Sequence, residues 1–554
     1  MGESRTKDEA LDADVIVVGA GPVGLSLALN LAQRGVRTAI FERKDAPAFL
    51  PKMERCNARS MEIFRRLNLA DEIRAASRFR DIPMDVFIVT DLTEPPLVQL
   101  KYPSVTASIE ATRQCRDASM PLEPYQLISQ YTLEPLLKRH AEADDLIDVR
   151  YSSDVLSFEQ DDDGVRVTVD VGQGRTQDFT ARYLVGCDGG PSTVRKALGI
   201  KLEGRGRIVP VHQIFFRSED LFDRIVTGHG RHYYSPSGVM VVQDDLKHFM
   251  LNVHHVEPTL ETAAGLVHDF LGMPVELEVL HVSSWWQHLL VAEQYADGRV
   301  FLAGDANHLY IPTGGLGMNT GIGDQDNLAW KLAAAVQGWA GPGLLASYDQ
   351  ERRKVGRRNR DAAGAAADGL KYWRSVATPD FWENTPAGRD NRQLVADTAA
   401  VRQRLVHEMV GTELGYCYDE SPVICHESGD SPDVSPTAFV PSTFPGVRLP
   451  HVWLADGTAV ADRLGLGFTL LRLGAAQHDT SALEAAVRAT GAPLDVLDIA
   501  EAHVRELYER DLLLIRPDLH VAWRGDLPPA DPQAVAAAVT GVAAVPAAAE
   551  LSHA

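Results

Sequence analysis

A chain of 554 residues, 45% of them hydrophobic, can bury two or three cores, and its length alone suggests about three to four domains. Its formal net charge of −22 argues against nucleic acid or an anionic membrane surface as the main partner. Five cysteines (Cys56, Cys115, Cys187, Cys417, Cys425) have neither metal-ligand nor C-x-x-C spacing, so no metal site or thiol–disulfide chemistry is expected, and the reading is a reducing, cytoplasmic compartment.

Residues 1–12 are polar, without a basic start leading into an apolar core, and read as a loose tail. Val15–Val18 form an apolar run, followed by Gly19, Ala20, Gly21, Pro22, Val23 and Gly24 and a helical pattern over 25–34. A second strand over 37–41 ends at Glu42, 18 positions after Gly24, with Arg43 next. This order is a dinucleotide fingerprint. Glycines allow a tight turn and close approach of a pyrophosphate, a helix N-terminus faces it, and a carboxylate meets the ribose hydroxyls. By itself it leaves NAD and FAD both open. Glu54 follows in a loop, as a solvated acid or a candidate base. Helices are expected over 57–66 and 131–143, and strands over 147–183 with turns at 161–164 and 172–174.

Residues 182–185 read as a strand returning to the nucleotide. Cys187, Asp188, Gly189, Gly190, Pro191, Ser192 and Arg195 then gather a carboxylate, glycines, a hydroxyl and a cation at a strand end leading into a short helix over 192–198. A surface turn capped by Ser192 would look the same. Strand-like runs at 209–216, 232–234, 239–242, 248–253 and 277–286 predict a sheet inserted between two nucleotide-binding segments, a natural cover over the ligand. On these strands His212, Tyr234, His254, Trp285 and Trp286 are candidate pocket residues, each equally at home in a core or on a surface.

Val300–Leu302 then enter a small-residue turn with Gly304 and Asp305, followed by His308, Pro312, Gly315, Gly317, Met318 and Asn319, with a helix opening near Gly317. Strand ends and first helical turns expose unpaired N–H groups and partial positive charge. The corner suits an anionic or electron-rich ligand, and Asp305 can accept from a sugar-like chain. A long charged helix is expected over 344–370, a connection over 374–400, and apolar strands near 468–471 and 513–515. The alanine-rich stretch 534–549 is the membrane candidate, but Gly541, Pro546 and weak hydrophobicity demote it, so no membrane span is expected.

Taken in order, the glycine run, Asp188-Gly189 with Ser192 and Arg195, and Gly304-Asp305 with His308 and Pro312 resemble the class A flavoprotein monooxygenases. Within that family the chain is most similar to the phenol and chlorophenol hydroxylases and the aromatic hydroxylases of polyketide pathways. The resemblance implies an α/β fold with an α+β substrate layer. It divides the chain into a Rossmann-like FAD-binding domain (13–80, 105–205 and 291–373), an inserted mixed β-sheet substrate domain (81–104 and 206–290), a linker (374–400) and a thioredoxin-like C-terminal domain (401–554). The terminal domain is expected to be structural, with homodimer contacts as its suggested job.

The same resemblance implies FAD, held by Gly19, Gly21, Pro22, Val23, Gly24, Glu42, Arg43, Gln130, Asp188, Arg195, Gly304, Asp305, Pro312, Gly315, Gly317, Met318 and Asn319. No second fingerprint is visible, which suits NADPH or NADH as a visiting reductant. O2 would react at the flavin C4a position, and the resulting hydroperoxide would hydroxylate an aromatic small molecule best presented as a phenolate. Glu54 is the candidate base by an ungapped match through Arg59 and Glu62, and Pro312 and Gly317 are placed in the catalytic loop. Two other readings are a Baeyer–Villiger-type oxygenase acting on a polyketide ketone and a flavin-binding protein without turnover.

Overall fold

Val15–Val18 is apolar along its whole length and buried on both faces, the pattern of a central parallel strand. In the computed structural model it pairs in parallel with Thr38–Phe41 on one side and Tyr183–Gly186 on the other. The complete sheet runs Ala296–Asp297, Val300–Leu302, Tyr183–Gly186, Val15–Val18, Thr38–Phe41, Ile147–Arg150, parallel except at the Ala296–Asp297 edge. Parallel pairing puts the ends of four strands on one edge of the sheet. The glycine run, Glu42, Asp188 and Asp305, far apart in sequence, therefore emerge together, where ligands of open α/β sheets bind.

The structure describes residues 11–542 apart from 173, 255, 430, 433 and 434. Most of the tail expected over 1–12, and the alanine-rich stretch from 543 onward, lie outside the described residues. No helix among the described residues is long and apolar enough to cross a membrane.

A second sheet of seven strands has the order Glu278–Trp286, Pro210–Arg217, His248–Val253, Gly238–Val242, His232–Tyr234, Val86–Ile88, Val98–Leu100. Its pairs are antiparallel except His232–Tyr234 with Val86–Ile88, so the sheet is mixed. The pleat sends alternate side chains to opposite faces. Ile214, Phe216, Met240, Phe249 and Leu251 form a core with helix Ala263–Leu271, while Val211, Gln213, Val239, Val241, Met250 and Asn252 line a cavity shared with the first sheet.

The terminal sheet runs Leu494–Ile499, Phe468–Leu473, Leu512–Ile515, Val521–Gly525, with its first pair parallel and the others antiparallel. Helices Ser481–Ala489, Ala502–Tyr508 and Pro532–Val539 accompany it in the thioredoxin-like arrangement. It meets the rest of the chain through buried charge. Arg516 donates to Glu351 at 2.6 and 3.0 Å and to Asp518 at 2.6 and 3.0 Å, and Lys331 donates to Glu351 at 2.7 Å. Asn327 Nδ2 reaches Glu351 at 2.6 Å and Asp518 at 3.2 Å. The long helix Leu316–Gln337 is thereby fixed to both Pro342–Ser375 and the terminal domain.

The stretch 374–400, expected as a linker, is instead structured. It carries the turn Pro379–Trp382 and most of helix Pro386–Arg402. Thr385 caps that helix, accepting from the Gly388 N–H at 3.1 Å, and Pro386 occupies its first turn. Val395 and Ala399 pack with Trp373 and Phe381 on Val86, Ile88 and Tyr234. Thr and Pro are residues of loops and of helix starts alike, so composition alone misread this segment.

Candidate active site

The first glycine turn is too tight for any side chain. Gly19 has φ +104°, and a Cβ there would lie 2.5 Å from the Cys187 carbonyl oxygen; a Cβ on Gly24 would lie 2.1 Å from that of Gly19. Gly21 instead opens on the cleft, and it starts helix Pro22–Ala32 without a side-chain cap. The first-turn N–H groups thus face the cleft with their partial positive charge. Glu42 accepts from the N–H groups of Ala20 and Lys44, both at 3.0 Å, which fixes its carboxylate beside the turn.

Asp188 closes the other side. Its Oδ2 accepts from the N–H groups of Thr193 at 2.6 Å and Val194 at 3.2 Å, while Oδ1 is buried without a protein partner. An orphaned acceptor on a cleft wall is where a ligand donor belongs. Arg195 donates to the carbonyls of Gly190 and Ala306, both at 2.9 Å, and so clamps this loop to the Asp305 turn. Asp324 does the same from behind. It accepts from Gly304 N–H at 3.2 Å and pairs with His308 Nε2 at 2.9 Å and Arg352 Nε at 2.8 Å.

Gly314 and Gly315 both adopt left-handed φ, 84° and 63°, and turn the chain into helix Leu316–Gln337, whose start has no side-chain cap. Arg55 donates to the Gly314 carbonyl and leaves no room for a Cβ on Gly315. Asn319 accepts from the Asn57 N–H at 2.8 Å and donates to the Gly315 carbonyl at 2.6 Å. Thirteen of the expected cofactor residues line the cleft: Gly19, Gly21, Pro22, Val23, Glu42, Arg43, Gln130, Asp188, Asp305, Pro312, Gly315, Gly317 and Met318. Gly24, Arg195, Gly304 and Asn319 stand behind that surface, shaping it by close packing and backbone hydrogen bonds rather than lining it.

The cleft continues into the cavity under the seven-stranded sheet, and together they enclose about 770 Å³. Glu54 lies at the join, its Oε2 2.6 Å from His232 Nε2. Burial pushes the Glu54 carboxyl up, but His232, Arg231 and Arg55 outweigh it and hold it at about 2. Burial also lowers His232, against the pull of Glu54, and its Nδ1 has no protein partner. His407, 5.4 Å from the His232 ring, is pushed well down by burial and by Arg231, which donates to its Nδ1 at 3.0 Å. At neutral pH the pocket therefore holds one ionised carboxylate at Glu54 beside two neutral imidazoles.

Tyr234, His254, Trp285 and Trp286 line the cavity as expected. His212 does not: the pleat puts Val211 and Gln213 on the cavity face and His212 on the other, where its Nδ1 lies 2.7 Å from Ser284 Oγ. Sequence reasoning missed His232, Arg374 and His407. His232 was within reach, since it shares a strand and a face with Tyr234. Arg374 and His407 carry no local signal, because helix Pro342–Ser375 and the segment after it bring them in from the far side.

With this geometry in place the comparisons are direct. Residues 12–363 match the family model of an FAD binding domain, and residues 442–546 that of the aromatic-ring hydroxylase C-terminal region. The chain belongs to the FAD-dependent aromatic-ring hydroxylases. The FAD-dependent monooxygenase apdD of Emericella nidulans is 34% identical to it, over 92% of this chain and 87% of the relative. The rebeccamycin biosynthetic enzyme RebC, solved with reduced flavin, superposes with a TM-score of 0.86 at 35% identity, over 97% of this chain and 100% of RebC. Aklavinone-11 hydroxylase, solved with FAD and aklavinone, gives 0.81 at 29% identity, over 96% and 100%.

As an aromatic-ring hydroxylase the protein is an oxidoreductase with FAD as cofactor and NAD(P)H and O2 as the co-substrates of its class. The residues fit that cofactor. The side-chain-free turn and uncapped helix start suit a pyrophosphate, and Glu42, Asp188 and Asp305 offer acceptors to hydroxyl groups. The comparisons support hydroxylation and neither the Baeyer–Villiger nor the non-catalytic reading.

Proposed function

We propose that the protein hydroxylates a phenolic aromatic compound, with Glu54 and His232 as the pair that orients and ionises the phenol. The observation that carries this is the 2.6 Å contact between Glu54 Oε2 and His232 Nε2, at the join of the cofactor cleft and the apolar sheet face. FAD, when bound, supplies the activated oxygen; the remaining work falls to the side chains.

Glu54 holds the His232 imidazole through Nε2–H and keeps a second oxygen for a further donor on the substrate. With its carboxyl held at about 2, it stays ionised throughout the working range and is too weak a base to keep the proton of a phenol. His232 is the better store. Neutral, with Nε2–H on Glu54 and a buried Nδ1 without a protein partner, it takes the proton of a phenol that donates to Nδ1, becoming an imidazolium that the carboxylate stabilises and leaving a phenolate whose ring is more nucleophilic. Val211, Val239, Val241 and Met250 keep water from the ring. Pro312 to Met318 supply the electronic side of the reading: the uncapped start of helix Leu316–Gln337 favours negative charge on the cofactor.

The test is a panel running from simple to fused-ring phenols, scored for stimulated NAD(P)H oxidation and product mass. Gain of one oxygen with the ring intact supports the reading. No stimulation by any phenol, or a ring-expanded product, overturns it.

A further inference from the structure

The cations around the cavity differ in which carboxylates they act on. Arg55 and Arg231 both act electrostatically on Glu54 and on Glu413. Arg374, in the last turn of helix Pro342–Ser375, lines the same cavity, yet no ion pair joins it to a carboxylate among the described residues. It donates to His254 Nε2 at 2.9 Å and to the Gly238 carbonyl at 3.0 Å, and its Nε is buried without a partner. Its Cζ lies 5.9 Å from the Tyr234 ring and 5.6 Å from the Trp373 ring.

None of these neighbours is an anion at neutral pH, because burial pushes the Tyr234 phenol up to about 12. Burial brings Arg374 itself down to about 10, which leaves it a cation. The carbonyls at the end of its helix offer roughly half a charge, and aromatic faces add a weak attraction. A half-buried cation whose Nε is buried and which has no more than this is left under-compensated. Tyr234 is a shared neighbour of both ends of the cavity: the His232 ring lies 5.6 Å from it, and Arg374 packs on its ring. A ligand with more than one ring can reach from the Glu54–His232 pair to Arg374.

We propose that Arg374, with His254, is the seat for an anionic oxygen group, a carboxylate or ionised hydroxyl, on the aromatic substrate, placed beyond the ring that Glu54 and His232 orient. This rests on the hydroxylase reading above for the orientation of the ring. Arg suits the task because its planar fork meets two oxygens at once and stays charged when buried.

The experiment uses the FAD-loaded enzyme and a matched pair, a fused-ring phenolic carboxylic acid and its methyl ester. Binding is followed by the change in flavin absorbance and turnover by NAD(P)H oxidation. The acid is expected to bind wild type at least about tenfold more tightly than the ester. Arg374→Gln should erase that ratio and Arg374→Lys keep part of it, with melting temperatures confirming that both variants fold. Equal binding of acid and ester to wild type, or an unchanged ratio in Arg374→Gln, overturns the seat even if the ester is hydroxylated. A ratio that depends on Arg374 while wild type hydroxylates no phenol supports the seat and removes the hydroxylase reading instead. If Arg374→Gln raises the KM for NADPH and not for NADH, with the acid-to-ester ratio intact, the anion is the reductant's phosphate and the proposal fails.

Discussion

At the junction with the terminal domain, Arg516 lies between Glu351 and Asp518, Lys331 completes Glu351, and Asn327 bridges the two carboxylates. In the cavity, among the described residues, no carboxylate pairs with Arg374, the buried His232 Nδ1 has no partner, and Glu54 has one oxygen to spare. The junction charges are fully buried, His232 is buried, and Glu54 and Arg374 are half-buried, so burial alone does not sort them by role. Saturation does: where every charge is answered by another part of the chain, the charges hold the chain together. Where they are unanswered, the arrangement is completed by something the chain binds.

That contrast is broken most sharply by one substitution in each region. Arg516→Met removes the cation shared by Glu351 and Asp518, leaving Lys331 on Glu351 alone, and unfolding in urea should show a loss of about 3–5 kcal/mol. Arg374→Gln removes a cation that nothing neutralises, so its loss should stay at or below about 1 kcal/mol. Equal losses would mean that the cavity charge is structural after all.

Next in size is Glu54→Gln, for which kcat should fall about 100-fold while FAD affinity stays unchanged. The pH profile separates a role in the chemistry from one in packing. Wild-type turnover should drop on the acid side as His232 protonates, below the ordinary value of 6.5 because burial disfavours its charged form. Glu54 opposes that shift, so removing its charge should move the acid limb to lower pH. An acid limb that stays in place in the variant would separate Glu54 from His232.

Two strands of the cofactor sheet were plain in the sequence, because Val15–Val18 and Val300–Leu302 are apolar throughout, buried on both faces and carry no competing pattern. The strands under the cavity were equally visible, as His232–Tyr234 and His248–Val253 have turns at both ends. The face each residue takes follows from the pleat, and counting in twos from Tyr234 finds His232, whereas His212 is placed only by the register of its own strand, which sets Val211 opposite Trp285 and His212 opposite Ser284. Helix Pro386–Arg402 was hidden by the same Thr and Pro that start it. Arg374 was hidden by distance, since a helix of 34 residues is about 50 Å long and its far end owes nothing to neighbouring sequence.

Smaller still is the response to acid. His232, His451 and His520 are all buried and lowered from 6.5 chiefly by burial, His451 to about 3. The unfolded chain takes up these protons below pH 6.5 and the folded chain does not, so stability is full above that value and falls as pH drops. Each histidine contributes a slope of at most about 1.4 kcal/mol per pH unit until its folded pKa is reached. Glu351 and Asp518, lowered by Arg516 against burial, act later: their contribution is present above their ordinary values of 4.5 and 3.8 and is lost below them. Burial raises the carboxyls of Glu134, Asp244, Asp305 and Glu413, whose linkage has the opposite sign, so the histidine share is read by difference. In urea titrations between about pH 7.5 and 4.5 wild type should lose stability more steeply than His451→Gln, and equal slopes would contradict it.

The smallest effect is the most discriminating, because two of its readouts move in opposite directions. A Cβ on Gly317 would meet no protein atom within 4 Å, and the position is helical with ordinary φ, so Gly317→Ala fits the fold. Replacing glycine in a helix should stabilise the apoprotein by up to about 1 kcal/mol. The new methyl group, however, enters the cleft beside Pro312 and Met318, where the cofactor belongs. FAD affinity should fall, flavin reduction should slow, and more of the NAD(P)H consumed should end as peroxide rather than product. Gly24→Ala makes the opposite case, since its Cβ would overlap the Gly19 carbonyl and should lower both stability and FAD binding. If Gly317→Ala behaves like Gly24→Ala, the glycine serves the turn. If stability rises while coupling falls, the loop from Pro312 to Met318 is open because the chemistry occupies that space.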